Sequence, residues 1–143
     1  MSDRTEAITK TLSRNDTSET GGHQGGILIP KNPDILSFFP SLKEQELNPR
    51  KMITFHDHTG NRWMFSFIHY NNRLFGGTRN EYRLTGMTRC LRYFNATAGD
   101  SIKLLRDQNG IYWFEHCPVK KANQDAGSHL RLGNTWKVVN IKY

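Results

Sequence analysis

The sequence predicts a mainly β domain with short helices, folded as an open β-barrel. Three observations predict this class. Aromatic residues make up 11% of the 143 residues, and aromatic side chains favour strands. Roughly seven strand-like segments follow one another at short spacing, and helical periodicity is scarce. The long crossover helices that a parallel α/β sheet requires are missing, which disfavours that class.

Two short helices are predicted among the strands. In residues 32–42, Asn32 suits an N-cap, Pro33 suits the first helical position, and Pro40 stops the helix. Residues 87–96 place two apolar side chains three positions apart, which is the spacing of one helical face.

The remaining apolar segments have the alternation, or the β-branched and aromatic content, of strands. Gly60 and Gly110 lie in turn-like sequences that join neighbouring strands into two hairpins. The predicted strands are residues 51–57, 62–70, 101–106 and 111–116, a short strand within 71–86, and two strands around Gly133 within 129–143, while Ile27–Ile29 is also strand-like.

The charge of the chain indicates a polyanionic partner. Lysine and arginine total 20, and aspartate and glutamate total 13, which leaves a formal net charge of +7. A basic domain of this size is typical of proteins that bind nucleic acid, ahead of those that bind a membrane surface.

Other features of composition indicate a cytoplasmic protein. The chain has no apolar run of about 18 residues and no secretory signal pattern, so we expect neither a membrane span nor export. Cys90 and Cys117 form neither a CxxC pair nor a disulfide framework, which agrees with a reducing compartment.

Catalytic and metal-binding motifs are missing from the pattern. The glycine-rich segment, residues 13–30, runs from Gly26 into an isoleucine, where a nucleotide-binding P-loop requires lysine followed by serine or threonine. The run His56–His58 has ligand chemistry without zinc spacing, and we interpret it as the solvated end of a hairpin. Asp34 follows proline, but no D/E-x-K triplet follows it in a strand, and hydrolase signatures are absent. We expect no catalytic site, metal or small-molecule cofactor here.

The glycine-rich segment has two remaining interpretations, a surface loop and a loop that lies against a duplex. Glycines let backbone N–H groups approach phosphates closely, and polar side chains among them can reach phosphates or base edges. The side chains with this chemistry are those of Arg14, Asn15, His23 and Gln24.

An arginine-rich segment follows the second predicted hairpin strand. Residues 71–94 hold five arginines and a single acid, Glu81. Alternation places Arg79, Glu81 and Arg83 on one face of an extended segment. Arginine reads guanine bidentately and clamps phosphates, and glutamate accepts from cytosine N4. A solvated charged strand is the alternative interpretation of the same pattern.

Three blocks of sequence, residues 12–30, 38–50 and 70–85, resemble the N-terminal effector domain of EcoRII-type restriction endonucleases. The rest resembles plant B3-type DNA-binding domains more loosely. The resemblance implies a single DNA-binding pseudobarrel over residues 1–143, with an N-arm at about 10–30 and a C-arm at about 71–85 that grip CC(A/T)GG through the major groove. It also implies that this domain does not cleave DNA and regulates a nuclease domain of the same prokaryotic polypeptide, where Mg²⁺ would bind.

The resemblance carries DNA-contact roles onto six residues: Lys10, His23, Arg73, Arg79, Glu81 and Arg83. The chain departs from the family pattern at Leu28, where the N-arm has tyrosine, and at Gly77 and Tyr82, where the C-arm has lysines. Together with the loop side chains and the other polar residues of the C-arm, the predicted DNA-binding set is Lys10, Arg14, Asn15, His23, Gln24, Arg73, Thr78, Arg79, Asn80, Glu81, Tyr82 and Arg83.

Two other functions fit parts of the sequence. The same fold can serve a stand-alone B3-like transcription regulator. A small metal-dependent nuclease would use the histidine, aspartate and cysteine side chains, and it would cut plasmid DNA when supplied with Mg²⁺ or Mn²⁺.

Overall fold

The computed structural model describes residues 5–17, 26–119 and 136–141. It contains strands β1 (Thr5–Thr11), β2 (Ile27–Ile29), β3 (Arg50–His56), β4 (Arg62–Tyr70), β5 (Glu81–Thr85), β6 (Ser101–Arg106), β7 (Tyr112–Cys117) and β8 (Trp136–Ile141). The helices are α1 (Pro33–Leu36) and α2 (Thr88–Tyr93), with a 3₁₀ helix at Asn72–Phe75.

All the described strands belong to one curled sheet, in the order β2-β5-β4-β3-β7-β6-β1-β8. Neighbouring strands are antiparallel except β3 and β7, which are parallel. The two edge strands come together where the indole Nε1 of Trp136 in β8 donates a hydrogen bond to the Leu28 carbonyl in β2, at 3.0 Å. The sheet therefore forms an open barrel, and the predicted fold class is confirmed.

Aromatic side chains fill the barrel. Phe55, Phe65 and Phe114 are fully buried, and Phe55 and Phe65 pack with ring centroids 5.1 Å apart. The short helices cover the barrel with one or two apolar side chains each. These are Ile35 from α1 and Cys90 and Leu91 from α2. Burial of this apolar surface is the main force that holds the sheet in its curled shape.

The two hairpins share a turn motif, Asp-x-x-Gly-x-x-Trp, that joins β3 to β4 and β6 to β7. In the first, the Asp57 carboxylate accepts hydrogen bonds from two backbone N–H groups of its turn and from Trp63 Nε1 at 2.7 Å. Asp107 does the same in the second and accepts from Trp113 Nε1 at 3.0 Å. Asp57 is buried, so the interpretation of His56–His58 as a solvated hairpin end was wrong at its middle residue.

Strand β1 is an element that the sequence analysis did not predict. Its sequence TEAITKT is mostly polar, yet the strand lies inside the sheet between β6 and β8. Its inward positions include Ile8 and also Lys10, although an inward position is ordinarily apolar. The predicted strand that precedes Gly133 lies outside the described residues.

Candidate nucleic-acid interface

The interface candidate lies on the outer face of β5. Side chains alternate along a strand. Leu84 is fully buried in the core, so its neighbours Arg83 and Thr85 face outward, and Glu81 shares that face. This confirms the predicted shared face of Glu81 and Arg83, which extends to Arg79 just before the strand.

One carboxylate joins the two arginines. Nη2 of Arg79 donates a hydrogen bond to Oε2 of Glu81 at 3.0 Å, and Nε of Arg83 donates to the same oxygen. The hydrogen bond from Arg83 is the largest influence on the pKa of Glu81 and holds it below its ordinary value, against the opposing effect of burial. Glu81 is therefore ionised at neutral pH, and the cluster carries a net charge of one positive unit.

An aromatic ring supports the outermost arginine. The guanidinium carbon of Arg79 lies 3.7 Å from the centroid of the Tyr70 ring, within the range of a cation–π contact. Tyr70 pairs directly with Glu81 across β4 and β5. The ring and the carboxylate thus fix the guanidinium of Arg79 from two sides, although 43% of that side chain remains exposed.

A hydrogen bond connects this cluster to the end of the predicted N-arm. Nη1 of Arg83 donates to the Gly26 carbonyl at 2.9 Å. Gly26 has φ +92°, and a Cβ at this position would lie 2.5 Å from the Leu84 carbonyl oxygen. Only glycine allows β2 to approach β5 this closely. The structure therefore brings Gly26 and Arg83, which lie at the ends of the two predicted arms, into direct contact.

The loop between β4 and β5 is held by hydrogen bonds among its own residues. The Arg73 N–H donates to the Arg79 carbonyl at 3.0 Å, and the Asn72 side-chain oxygen accepts from the Arg79 N–H at 2.6 Å. These contacts leave the side chains of Arg73 and Thr78 exposed. Asn72 organises the loop and was missed by the sequence analysis, because its hydrogen-bond partner lies seven positions away.

The base of the C-arm is anchored by buried polar side chains. Asn71 is fully buried. Its Oδ1 accepts from the Asn48 N–H at 2.7 Å, and its Nδ2 donates to the Glu46 carbonyl at 2.8 Å. Because a buried amide is stable only when its donors and acceptors are satisfied, Asn71 fixes the position where the arm leaves the sheet.

Two residues of the predicted C-arm, Asn80 and Tyr82, have side chains that contact His69 and not the arginines. The Tyr82 ring faces away from Arg83 and stacks on His69 at 4.0 Å and on Phe67 at 5.7 Å between centroids, and burial raises the pKa of its hydroxyl. The Asn80 Oδ1 lies 2.8 Å from Nε2 of His69. The prediction grouped both residues with the arginines, whereas the structure engages their side chains with His69.

Lys10 is also placed differently from the prediction. Its side chain is 0% exposed and forms an ion pair with Asp16, which in turn accepts from the Ser13 N–H at 2.9 Å. In this arrangement the buried ion pair of Lys10 connects β1 to the turn at the start of the predicted N-arm. Arg14 and Asn15 are exposed in the turn that follows. The predicted contacts His23 and Gln24 lie outside the described residues.

Within the three described segments, no group of three or more His, Cys, Asp or Glu side chains is arranged to hold a metal ion. His116 Nε2 contacts the buried Asp100 at 2.8 Å, and this contact belongs to the turn before β6. No helix among the described residues has the length and apolar character needed to cross a membrane.

A comparison with solved structures identifies the fold class of the chain. A solved structure titled "Arabidopsis FUS3-DNA complex" superposes with a TM-score of 0.60 at 18% identity and covers 78% of this chain and 96% of that one. The chain therefore has the fold of the B3 pseudobarrel. A family described as "Restriction endonuclease EcoRII, N-terminal" matches residues 2–106, and the chain belongs to this family.

Two relatives agree with this assignment. The type II restriction enzyme EcoRII of Escherichia coli is 46% identical over 79 residues, which are 53% of this chain and 19% of that enzyme. A B3 domain-containing protein of Oryza sativa subsp. japonica is 27% identical over 126 residues, which are 86% of this chain and 12% of that protein. The chain thus spans less than a fifth of the length of either relative.

Proposed function

We propose that this chain binds double-stranded DNA at a CC(A/T)GG-like site, with its N-arm and C-arm in the major groove. The observation that carries the proposal is the cluster of Arg79, Glu81 and Arg83 on one outward face, hydrogen-bonded to the end of the N-arm. A net charge of +7, membership in the EcoRII N-terminal family and a structural neighbour titled as a DNA complex support it.

The cluster of Arg79, Glu81 and Arg83 is proposed to read base edges. Arg79 and Arg83 present forked donors that suit guanine O6 and N7, and Glu81 presents an acceptor that suits cytosine N4. Each good contact of this kind discriminates against a wrong base by about 1–3 kcal/mol. In the free chain Glu81 holds both forks in place, so little side-chain entropy is lost when DNA arrives.

Phosphate binding supplies most of the affinity and its salt dependence. Arg73, Thr78 and Arg14 are exposed on the two arms and have the chemistry of phosphate contacts. His23 of the N-arm is proposed to read a base edge together with Arg79, Glu81 and Arg83, and Asn15 and Gln24 complete the proposed DNA-binding set. Lys10, Asn80 and Tyr82 belong to the same proposed set. Their side chains pack against Asp16 or His69 and so support the positions of the arms.

The domain acts as the effector part of a type IIE-like restriction endonuclease. It binds a copy of the recognition site and controls a nuclease domain of the same polypeptide, where Mg²⁺ belongs. The E. coli relative is a type II restriction enzyme of which the match covers 19%, and this supports a parent protein longer than the binding domain. Such a protein works in the bacterial cytoplasm.

The proposal is tested by selection of binding sites from random duplexes, followed by incubation of the chain with plasmid and Mg²⁺ or Mn²⁺. We expect an enriched CC(A/T)GG-like sequence and no cutting. Enrichment of an unrelated sequence contradicts the proposed site. Metal-dependent cutting by the purified chain, abolished by His58→Ala, contradicts a non-catalytic role and supports a small nuclease.

A stand-alone transcription regulator is the second candidate. The match to the rice B3 domain-containing protein, which extends over 86% of this chain, favours it. The content of the native reading frame separates the two, because a nuclease domain beyond Tyr143 belongs to a restriction enzyme, whereas length alone does not: the rice relative is itself much longer than its match, which covers 12% of it.

A further inference from the structure

Strand β3 extends the outward face beyond the two arms. In the sheet Leu28 pairs with Arg83, Arg83 with Ile68, and Ile68 with Arg50. Residues directly opposite one another in a sheet point to the same side, so Arg50 faces the same way as Arg83. The two arginines are separated by one strand, which corresponds to about 10 Å.

A groove connects Arg50 to the bases of both arms. It encloses about 300 Å³ and is lined by Arg50 together with Gly26 of the N-arm end, Tyr70 of the C-arm base, Thr85 of β5 and Asp16, whose carboxylate is paired with Lys10. Arg50 is therefore part of the surface between the arms, and not an isolated cation on a distant part of the barrel.

The positive charge of Arg50 is balanced less than the charges of Arg79 and Arg83. Arg79 and Arg83 share the negative charge of Glu81. Among the described residues Arg50 has no carboxylate within ion-pair distance, and its Nε donates a hydrogen bond to the Asn48 carbonyl at 3.4 Å. Arg50 therefore adds one positive charge beside the cluster of Arg79, Glu81 and Arg83, which itself carries a net charge of one positive unit.

We propose that Arg50 binds a DNA phosphate, which makes β3 a third contact element beside the two arms. The major groove is about 12 Å wide. When Arg83 reaches a base edge, a residue about 10 Å away across the sheet meets the phosphate backbone at the edge of the groove. This inference rests on the proposed DNA-binding function. It concerns affinity and its salt dependence, since a phosphate contact carries no sequence information.

Lys51 provides a matched control. It is the next residue of the same strand, it carries the same charge, it is exposed, and by alternation it points to the other side of the sheet. The Kd is measured at 50–200 mM salt for the wild type, Arg50→Ala, Arg50→Lys and Lys51→Ala, on both a site-containing duplex and a scrambled one. Thermal unfolding of each variant shows that the fold is intact.

We expect Arg50→Ala to lower the slope of log K against log[salt] by about 0.9, which is about 3.5-fold less weakening than the wild type shows between 50 and 200 mM salt. Arg50→Lys and Lys51→Ala should keep the wild-type slope, and the preference for the site should be the same in all four proteins. An unchanged slope in Arg50→Ala, or an equal loss in Lys51→Ala, overturns the inference. Failure of the wild type to prefer any duplex instead contradicts the proposed function, and the scrambled duplex still tests Arg50 in that case.

Discussion

The guanidinium of Arg83 donates a hydrogen bond to the Gly26 carbonyl, with 2.9 Å between Nη1 and the oxygen. Through this bond β5, which lies in the predicted C-arm, contacts the end of the predicted N-arm. The same guanidinium donates to Glu81. The proposed base-reading cluster and the junction of the two arms are therefore parts of one hydrogen-bonded unit.

Gly26→Ala tests the junction, and Gly60→Ala is its matched control. Both glycines have φ +92°, but a Cβ at Gly60 meets nothing within 4 Å, whereas one at Gly26 meets the Leu84 carbonyl oxygen at 2.5 Å. We expect Gly60→Ala to cost about 1–2 kcal/mol of unfolding free energy for the left-handed backbone alone. Gly26→Ala should cost about 1–3 kcal/mol more because of the overlap, and it should also weaken DNA binding. Equal costs in urea denaturation, with DNA affinity intact in both, would show that the close approach of β2 to β5 is unimportant.

Lys10→Met separates a structural role from a phosphate contact. Lys10 is buried and paired with Asp16, and removal of one partner of a buried ion pair costs about 3–5 kcal/mol. The double variant Lys10→Met/Asp16→Asn should recover part of that loss, because it also removes the buried charge that Lys10→Met leaves on Asp16. Chemical denaturation measures both effects. The salt slope of DNA binding should stay at the wild-type value in the double variant. A slope lower by about one phosphate contact would show that Lys10 itself contacts a phosphate.

Acid should weaken the hairpin turns through their aspartates. Burial, the largest single influence, raises the pKa of Asp57, but the hydrogen bonds from Thr59, Trp63 and Asn61 together outweigh it, so the pKa lies below its ordinary value of 3.8. A folded pKa below the unfolded one gives stability that is complete above pH 3.8 and is lost as the pH falls through the folded pKa.

Asp57→Asn removes this titration. At pH 7 we expect the variant to be less stable by about 1–3 kcal/mol, since hydrogen bonds to a charged group are lost. The difference from the wild type should shrink as the pH falls below 3.8. Asp107→Asn is the comparison, because Asp107 has the same role and is less buried, so its cost should be smaller. A difference between wild type and Asp57→Asn that is constant from pH 7 to pH 3 would contradict this role of the carboxylate.

Much of the fold follows from local sequence signals. The glycine turns, the alternation in β4 and the short proline-started helix are encoded within a few residues of each element. The shared face of Arg79, Glu81 and Arg83 follows from the two-residue period of a strand. The same period places Tyr82 on the opposite face, a signal that was present in the sequence and was not used.

Other features depend on contacts that no local pattern reveals. Strand β1 was missed because Lys10 occupies an inward position, and its partner Asp16 becomes visible only when the chain folds back. The place of Arg50 beside the arms depends on the pairing of β3 with β4 and of β4 with β5. Strand order and register are set by the whole sheet, so the sequence alone could not include Arg50 among the candidates.

The most direct test of the central claim is the energetic coupling between Glu81 and the cytosines of the site. The Kd is measured for the wild type and Glu81→Ala on a CC(A/T)GG duplex and on duplexes with one C·G pair replaced in turn, with Glu115→Ala as a control outside the face. We predict that at one position the wild type loses about 1–3 kcal/mol on replacement while Glu81→Ala loses far less. If Glu81→Ala weakens binding to every duplex by the same factor, Glu81 does not read the sequence and the account of the site is contradicted.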